Sequence, residues 1–194
     1  MAAMTAPADG PVASLSWVPT RPKGGASFCT HRLREEGRVL RFEPIRGTKT
    51  FVLAFLAAGM AAEVGGVALF FAPVPIWMPI IALAVGGLFT GAAVFMRARV
   101  LTPRIFDLGA GTFRSAAGET PLGQVRKLQL LTHTVEQRSR PGEGPAAYDC
   151  HELNLVLEGN RRVHVVAHGD LGQLRGDAQV LAERLGVELL HREK

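Results

Sequence analysis

The side chains best suited to chemistry in this sequence are a few cysteines, histidines and carboxylates. Cys29 and His31 lie two residues apart, and Cys150 and His151 are adjacent in a later segment. Thiolates and imidazoles are zinc ligands, so two paired strands could bring these four together. However, alternation along a strand places Cys29 and His31 on one face but Cys150 and His151 on opposite faces. The spacing also matches no common zinc motif, and we predict that none of the four binds a metal.

A second group combines His164 and His168 with Asp170. An active site built on them would need a nucleophile and an oxyanion site, and the sequence has no Gly-x-Ser-x-Gly element. It has neither a Walker A motif nor a GxGxxG motif. Asp170 is explained by another role, because aspartate caps helix N-termini and an apolar helical pattern follows it. The sequence therefore predicts no catalytic residues and no cofactor.

Glu63 is the most unusual residue of the chain, because it lies near the middle of an apolar stretch. An ionised carboxylate in hydrocarbon costs a few kcal/mol or more, so something must offset that cost. A turn at residues 73–75 would place Val85 to Gly87 opposite Glu63, and they offer no basic side chain. Either Glu63 is a protonated carboxyl that bonds a backbone carbonyl or water, or it is a polar site for a proton, a cation or another membrane subunit.

The elements that must hold these residues begin with two apolar stretches, Phe51 to Ala72 and Val74 to Met96. Each approaches or exceeds the roughly 20 residues that a helix needs to cross about 30 Å of hydrocarbon. Pro73 and Pro75 suit a helix end, because proline lacks an amide donor and disfavours helix in the preceding residue. The sequence predicts a transmembrane helical hairpin over residues 49–98.

Basic residues lie at the outer ends of the two apolar stretches and not at their connector. Arg46 and Lys49 precede the first stretch, and Arg97, Arg99 and Arg104 follow the second, whereas the connector carries none. The positive-inside rule then places both termini in the cytoplasm. The same five residues are predicted to contact anionic lipid, and the lipid bilayer is the first predicted partner.

Small residues recur four positions apart along the two predicted helices. The pairs are Ala61 with Gly65, Ala62 with Gly66, and Gly87 with Gly91. This spacing lets helix backbones approach closely. Either the two helices of the hairpin pack through these residues, or the residues contact another membrane protein or a second copy of the chain.

The polar segments predict short strands and one helix. Stretches 28–34 and 38–45 precede the hairpin, and a pair of strands is barely stable alone, so it needs sheet from beyond the hairpin. Several alternating stretches follow between residues 104 and 166. An apolar period of three to four residues then predicts a helix over 170–185, capped by Asp170 and Gly186. On this helix, Asp177 is expected to face water.

The sequence thus predicts a discontinuous cytoplasmic domain. Residues 1–16 are expected to be a disordered tail, 17–48 the first strands, 49–98 the hairpin and 99–194 the rest of the domain, with residues 139–147 as an exposed loop. The net charge of +5 is spread among acidic residues without an interleaved aromatic stripe, so nucleic acid is not a predicted partner. The two cysteines are too few for a disulfide framework and are read as free thiols.

Six or seven antiparallel strands closed by a C-terminal helix are the arrangement of a pleckstrin-homology-like (PH-like) barrel. Residues 28–33, 152–157, 168–170 and 185–187, which read FCTHRL, ELNLVL, HGD and LGV, also resemble blocks of an uncharacterised group of bacterial inner-membrane proteins. More broadly, the chain resembles bacterial membrane-anchored PH-like domains. The resemblance implies a membrane α+β fold, with a transmembrane hairpin inserted into a PH-like antiparallel barrel or sheet.

The expected function is that of a noncatalytic protein of the bacterial inner membrane. It would present its PH-like domain at the cytoplasmic face as a scaffold or an accessory subunit, with a membrane protein or a second copy as partner. Two alternatives remain open. The domain could sense a lipid or another ligand, or oligomerised hairpins could form a transport or ion-linked component that uses Glu63.

Overall fold

The computed structural model describes residues 15–22, 25–137 and 146–192. Residues 1–14 of the predicted tail and 139–145 of the predicted loop lie outside this part. The helices and strands are β1 (His31–Glu36), β2 (Val39–Pro44), α1 (Arg46–Leu69), α2 (Trp77–Val100), β3 (Arg104–Asp107), β4 (Thr112–Ser115), β5 (Gly118–Pro121), β6 (Val125–Gln137), β7 (Ala146–Leu157), β8 (Arg162–His168), α3 (Leu171–Leu185) and β9 (Glu188–Arg192). The fold is α+β.

The first sheet joins chain segments from both sides of the hairpin. Its strand order is β1-β2-β3-β4-β5, and all neighbours are antiparallel. Strand β2 pairs with β3 so that Leu40 lies opposite Phe106, although both long helices separate them in the chain. Leu40, Phe42, Phe106 and Phe113 of this sheet are fully buried. The prediction that the strands before the hairpin need sheet from beyond it is confirmed.

The second sheet has the order β8-β7-β6-β9 and is covered on one face by α3. Along β7, Leu153 and Leu155 face the core that also contains Leu174 and Leu181 of α3. Strand β9, which the sequence did not predict, follows α3 and runs parallel to β6. The two sheets are separate, so the predicted closed barrel does not form among the described strands.

Helix α3 begins and ends as predicted. The side chain of Asp170 accepts a hydrogen bond from the backbone N–H of Gln173 at 3.0 Å, and Gly186 ends the helix at φ +65°. The prediction that Asp177 faces water is wrong, since it is only 8% exposed. Strand β1 is at the edge of its sheet, and Asp177 accepts the outward N–H of Leu33 at 3.0 Å. Burial raises the pKa of this carboxyl.

Helices α1 and α2 have 24 residues each and form an antiparallel pair whose surface is largely exposed. Both are long and apolar enough to cross a membrane. Apart from Thr48 in the first turn of α1, their buried positions recur every seven residues: Val52, Gly59 and Gly66 on α1, and Pro79, Gly86 and Ala93 on α2. A methyl group added to Gly86 would lie 2.9 Å from the carbonyl oxygen of Gly59. The backbones therefore approach most closely along a seven-residue repeat, as in left-handed helix pairs.

The small-residue pairs spaced by four behave differently from this repeat. Gly66 packs on Leu83, and Ala62 is half-buried. Gly65, Gly87 and Gly91 would accommodate a methyl group with nothing within 4 Å, and Ala61 is exposed. These four residues do not pack within the hairpin, because each lies one or two residues, or about 100–200° around the helix, from a buried position of the repeat. Contact with another subunit, the second alternative, stays a prediction for them.

Candidate ligand site at the root of the hairpin

The N-terminal segment, which is residues 15–22 and 25–30, crosses the face of the second sheet opposite α3. The carbonyl oxygen of Ser16 accepts from Nε2 of Gln129 at 3.0 Å, and that of Val18 accepts from Arg162 at 2.7 Å. Further along, Ala26 forms an isolated parallel bridge with His168. The predicted disordered tail is therefore wrong for residues 15 and 16, because polar side chains of the sheet fix this backbone.

Glu152 anchors the N-terminal segment from below and is fully buried. Its carboxylate accepts the backbone N–H groups of Thr20 at 3.2 Å and Arg21 at 3.3 Å, together with the Thr20 hydroxyl. Burial by itself raises the pKa of Glu152, but the neighbouring His164 ring and the hydrogen bond from the Thr20 hydroxyl outweigh it and lower this pKa to about 2. The buried group is therefore an anion at neutral pH that organises residues 20 and 21.

The roots of both helices are tied to the first residues of β1. The carbonyl oxygen of Thr30 accepts from the N–H of Ile45 at 3.0 Å and from the hydroxyl of Thr48 at 3.4 Å. On the other side, Nε2 of His31 lies 3.0 Å from the carbonyl oxygen of Val100, the last residue of α2. These contacts fix the position of the hairpin relative to the domain.

A cavity of about 360 Å³ opens at this junction, between the N-terminal segment, the helix roots and β8. Three arginines line it, namely Arg21, Arg99 and Arg104, and no carboxylate does so among the described residues. Part of the lining is apolar and includes Phe51 and Met96. A neighbouring cavity of about 210 Å³ shares the same three arginines. We call the larger space the junction cavity.

Arg104 is the least exposed of these arginines, and its guanidinium contacts Nε2 of His31. The same Nε2 lies 3.0 Å from the Val100 carbonyl oxygen, so in the neutral ring it either donates to that carbonyl or accepts from the guanidinium, and Nδ1 lies 2.9 Å from the Thr30 hydroxyl. Burial, followed by the charge of Arg104, lowers the pKa of His31 to about 3. Burial and the charge of Arg21 lower the pKa of Arg104 to about 10. At neutral pH, His31 is therefore neutral and Arg104 is charged.

His164 also lines the junction cavity, and its Nδ1 lies 3.6 Å from Glu152. Burial lowers its pKa despite the neighbouring carboxylate. His168 lies elsewhere in β8, where its Nδ1 accepts the backbone N–H of Asp170 at 3.2 Å. Burial lowers the pKa of His168 to about 4. The two histidines therefore have separate roles, and Asp170 caps α3.

The residues considered for a metal site have separate partners. The thiol of Cys29 donates to the carbonyl oxygen of His31 at 3.3 Å, and His151 bonds the Thr132 hydroxyl at 2.8 Å. Cys150 is buried where a methyl group on Gly25 would collide with its sulfur. Within the described ranges, no group of three or more His, Cys, Asp or Glu side chains is placed to hold a metal ion.

The five basic residues predicted to contact lipid fall into three places. Arg99 and Arg104 line the junction cavity, while Arg46 and Lys49 line a different cavity of about 470 Å³ beside β1. Arg97 is exposed in the last turn of α2. All of them lie at or near the ends of the hairpin that join the domain.

Glu63 lies on the contact face of the hairpin. A methyl group on Gly86 would lie 2.7 Å from Cγ of Glu63, so the predicted register opposite Val85 to Gly87 is confirmed. One turn along α2, the buried Thr90 hydroxyl has no hydrogen-bond partner within the part of the chain described. The Glu63 side chain therefore leaves α1 between the two helices and not on the outer surface.

Sequence reasoning did not identify Arg21 and Glu152 as parts of a site. Glu152 alternates with Leu153 along β7, a pattern that ordinarily indicates a solvent-facing carboxylate. One signal was present in the sequence, since Asn154, Arg162 and His164 alternate with leucine and valine along two successive stretches. Four polar side chains that adjoin on one sheet face suggest a covering segment, but nothing in the sequence indicates which segment covers them.

No protein family, curated protein or solved structure matches the chain significantly. The chemistry of the junction cavity is therefore argued from its geometry. Three guanidinium groups beside an apolar lining suit an anionic or amphiphilic ligand. The nearest titratable groups are the neutral histidines His31 and His164 and the hydrogen-bonded carboxylate of Glu152.

Proposed function

We propose that the protein is a noncatalytic integral protein of a bacterial inner membrane. Its helical hairpin anchors a PH-like domain at the cytoplasmic face, where the domain serves as a scaffold or an accessory subunit of a membrane complex. The observation that carries the proposal is the exposure of α1 and α2. In the most apolar 18-residue stretch of each helix, only 17% is buried. A core helix of a soluble protein would be mostly covered.

The exposed side chains of the hairpin are large and apolar. Val64, Phe71 and Leu88 are 71%, 89% and 70% exposed. Leaving such side chains in water forgoes about 1.5–3 kcal/mol each compared with full burial. Monomeric soluble proteins rarely expose a continuous apolar surface of this extent, and a bilayer covers it on all sides.

The connections of the hairpin support the proposed orientation. Helix α1 follows β2, and α2 precedes β3. Because β2 and β3 pair with each other, the domain lies at one end of the hairpin. Arg46, Lys49, Arg97 and Arg99 lie at that end. Because positive residues remain on the cytoplasmic side, both termini are cytoplasmic. The two sheets and α3 support a PH-like arrangement in which the hairpin is an insertion.

Cysteine labelling tests this arrangement directly. In a background with Cys29→Ser and Cys150→Ser, one variant carries Pro75→Cys in the connector, and the matched variant carries Ala110→Cys in the exposed β3–β4 turn. We expect a membrane-impermeant maleimide to label residue 75 from the periplasmic side of intact inner membranes and residue 110 only after the membrane is disrupted. The reverse pattern contradicts the orientation, and extraction of the chain by alkaline carbonate contradicts the anchor.

The junction cavity favours a second function, which is recognition of a lipid or another ligand by the domain. It is accessible beside the helix roots, and it combines charged and apolar lining. A scaffold needs no such cavity, whereas a sensor does. The transport alternative depends on Glu63, which lies between the two helices, and it stays a prediction. Glu63→Gln and Glu63→Leu variants test it, with copurifying partners and proton-linked activity as the two measurements.

A further inference from the structure

The three arginines of the junction cavity line one space together without a salt bridge, a lack that they share with several other described arginines. Arg21, Arg99 and Arg104 form no salt bridge with any residue in the described part of the chain, whereas Arg34, Arg41, Arg114, Arg126 and Arg184 each pair with a glutamate. The Arg99 guanidinium lies 4.9 Å from the ring centroid of Phe95, and that of Arg104 contacts His31. Neither contact neutralises a charge.

Glu152, the nearest buried carboxylate, does not serve as their counterion. Its two oxygens accept from the Thr20 and Arg21 backbones and from the Thr20 hydroxyl, and His164 lies beside it. The guanidinium of Arg21 makes none of these bonds, because the residue contributes its backbone N–H. The cavity therefore keeps an excess of positive charge at neutral pH.

The partial burial of this charge carries a cost. Arg104 is only partly exposed, and its pKa is lowered to about 10 by burial and by the nearby Arg21. Like charges held together away from water destabilise a fold unless an anion neutralises them. A bound anion would remove the repulsion and use the guanidinium donors that no protein group accepts.

We infer that the junction cavity binds a phosphate group of an anionic ligand, with Arg21, Arg99 and Arg104 as its donors. A guanidinium offers parallel N–H donors whose geometry matches two phosphate oxygens. His31 positions Arg104 through the contact at its Nε2, and Glu152 positions Arg21 through the backbone of the N-terminal segment. The site thus requires elements from both sides of the hairpin.

The apolar lining favours a phospholipid over a soluble phosphate. Phe51 and Val52 in α1 and Met96 in α2 line the same cavity one to two turns from the helix roots. Phe28, also in the lining, is 60% exposed. A headgroup phosphate at the arginines would allow the glycerol and upper acyl carbons to contact these side chains. The lipid source rests on the proposed membrane insertion, whereas the phosphate site itself does not.

The experiment compares full-length variants in nanodiscs. The wild type, Arg21→Gln, Arg21→Gln with Arg99→Gln, and Arg104→Gln are reconstituted in phosphatidylcholine with about one fifth phosphatidylglycerol. The matched control is Arg126→Gln, which removes an exposed arginine that pairs with Glu158 outside the cavity. Native mass spectrometry counts the phosphatidylglycerol retained by each protein. Inorganic phosphate and glycerol 3-phosphate are titrated against the same proteins in pure phosphatidylcholine.

We expect the wild type and Arg126→Gln to retain phosphatidylglycerol. Each cavity variant should bind it with an affinity lowered about tenfold or more, because one charge-assisted contact is lost. Binding of glycerol 3-phosphate or inorganic phosphate with the same variant pattern, but without lipid retention, supports the site with a soluble ligand. Equal losses in Arg126→Gln indicate only nonspecific attraction and overturn the inference.

Two further results separate this inference from the proposed function. A wild-type protein that resists carbonate extraction but binds neither the lipid nor the soluble phosphates overturns the cavity site and leaves the anchor intact. Conversely, a protein that is extracted by carbonate but binds glycerol 3-phosphate through Arg21 refutes the anchor alone. Because Arg104 is partly buried, Arg21→Gln, which changes an exposed side chain, decides the outcome if Arg104→Gln does not fold.

Discussion

Replacing Gly86 by alanine tests the packing of the hairpin with a control one residue away. The added methyl group would lie 2.7 Å from Cγ of Glu63, 2.9 Å from its backbone nitrogen and 2.9 Å from the carbonyl oxygen of Gly59. Two of these three atoms belong to backbone, so the helices must move apart. At Gly87 the same methyl group would have nothing within 4 Å.

The magnitude follows from two effects. Alanine is favoured over glycine in a helix by about 1 kcal/mol, and this gain applies equally to Gly86→Ala and Gly87→Ala. Overpacking costs about 1–3 kcal/mol and applies to Gly86→Ala alone. The difference in free energy of unfolding between the two variants therefore isolates the packing cost, and we expect Gly86→Ala to be the less stable by about 1–3 kcal/mol.

The assay is unfolding of the full-length protein in one detergent, followed by tryptophan fluorescence. Gly59→Ala and Gly65→Ala give a second matched pair on α1, since a methyl group at Gly59 would collide with Thr90 and one at Gly65 would contact nothing. Equal stabilities within each pair, or a larger loss at Gly65 or Gly87, would refute the seven-residue packing repeat.

Three further predictions concern the domain. Glu152→Gln should speed amide hydrogen exchange at Thr20 about tenfold or more, because a carboxylate that accepts its N–H is lost; unchanged exchange would contradict the anchoring role. Lowering the pH from 7 to 5 should destabilise the fold by about 2 kcal/mol for each of His31 and His168, because their pKa values are about 3 and 4 in the fold and 6.5 in the unfolded chain. Their stabilising effect is present above about pH 6.5 and is lost as the pH falls, and His31→Gln should flatten the dependence. Asp170→Ala should cost about 1 kcal/mol in chemical denaturation, whereas Asp170→Asn should cost less.

The elements that the sequence predicted well are those specified by local patterns. Helix α3 was predicted from its apolar period and from caps at Asp170 and Gly186, all within one short stretch. The helical hairpin was predicted from continuous hydrophobicity and from Pro73 and Pro75. At the ends near the domain the helices extend beyond the apolar stretches, to Arg46 and Val100, because backbone hydrogen bonding continues after the hydrophobic signal ends, whereas at the connector they stop at Leu69 and begin at Trp77.

The features that the sequence did not predict depend on contacts between distant residues. Asp177 follows a surface pattern on α3, yet it is buried because its neighbour is the open edge of β1. Residues 15 and 16 belong to the predicted tail and 17–22 to the predicted first strands, yet Gln129 and Glu152 hold this segment on the second sheet. Similarly, β9 is a short strand whose only described partner is β6, and its pattern is too brief to identify alone.

The helix contacts show why spacing alone did not select the packing face. Gly87 and Gly91 fit a GxxxG motif, and Gly59 and Gly86 belong to no such pair with another glycine. The pair packs through Gly59 and Gly86, where a methyl group would meet backbone atoms of the facing helix 2.7–3.0 Å away. Spacing along one helix does not indicate which face the partner helix occupies. The domain fixes both helix roots through Thr30 and His31.

The same constraint links the hairpin to the junction cavity. Thr30 and His31, adjacent at the start of β1, bond the root of α1 and the last carbonyl of α2 respectively, and Arg104 begins the next strand after a short connection. Arg99 on α2 and Arg104 on β3 thus lie on either side of the point where the hairpin joins the sheet. A tilt of α2 relative to the domain must change the separation of these two guanidinium groups, because one moves with the helix and the other with the strand. A ligand that bridges them therefore stabilises one angle between the hairpin and the domain, which is how a lipid at this site would act on whatever the domain contacts.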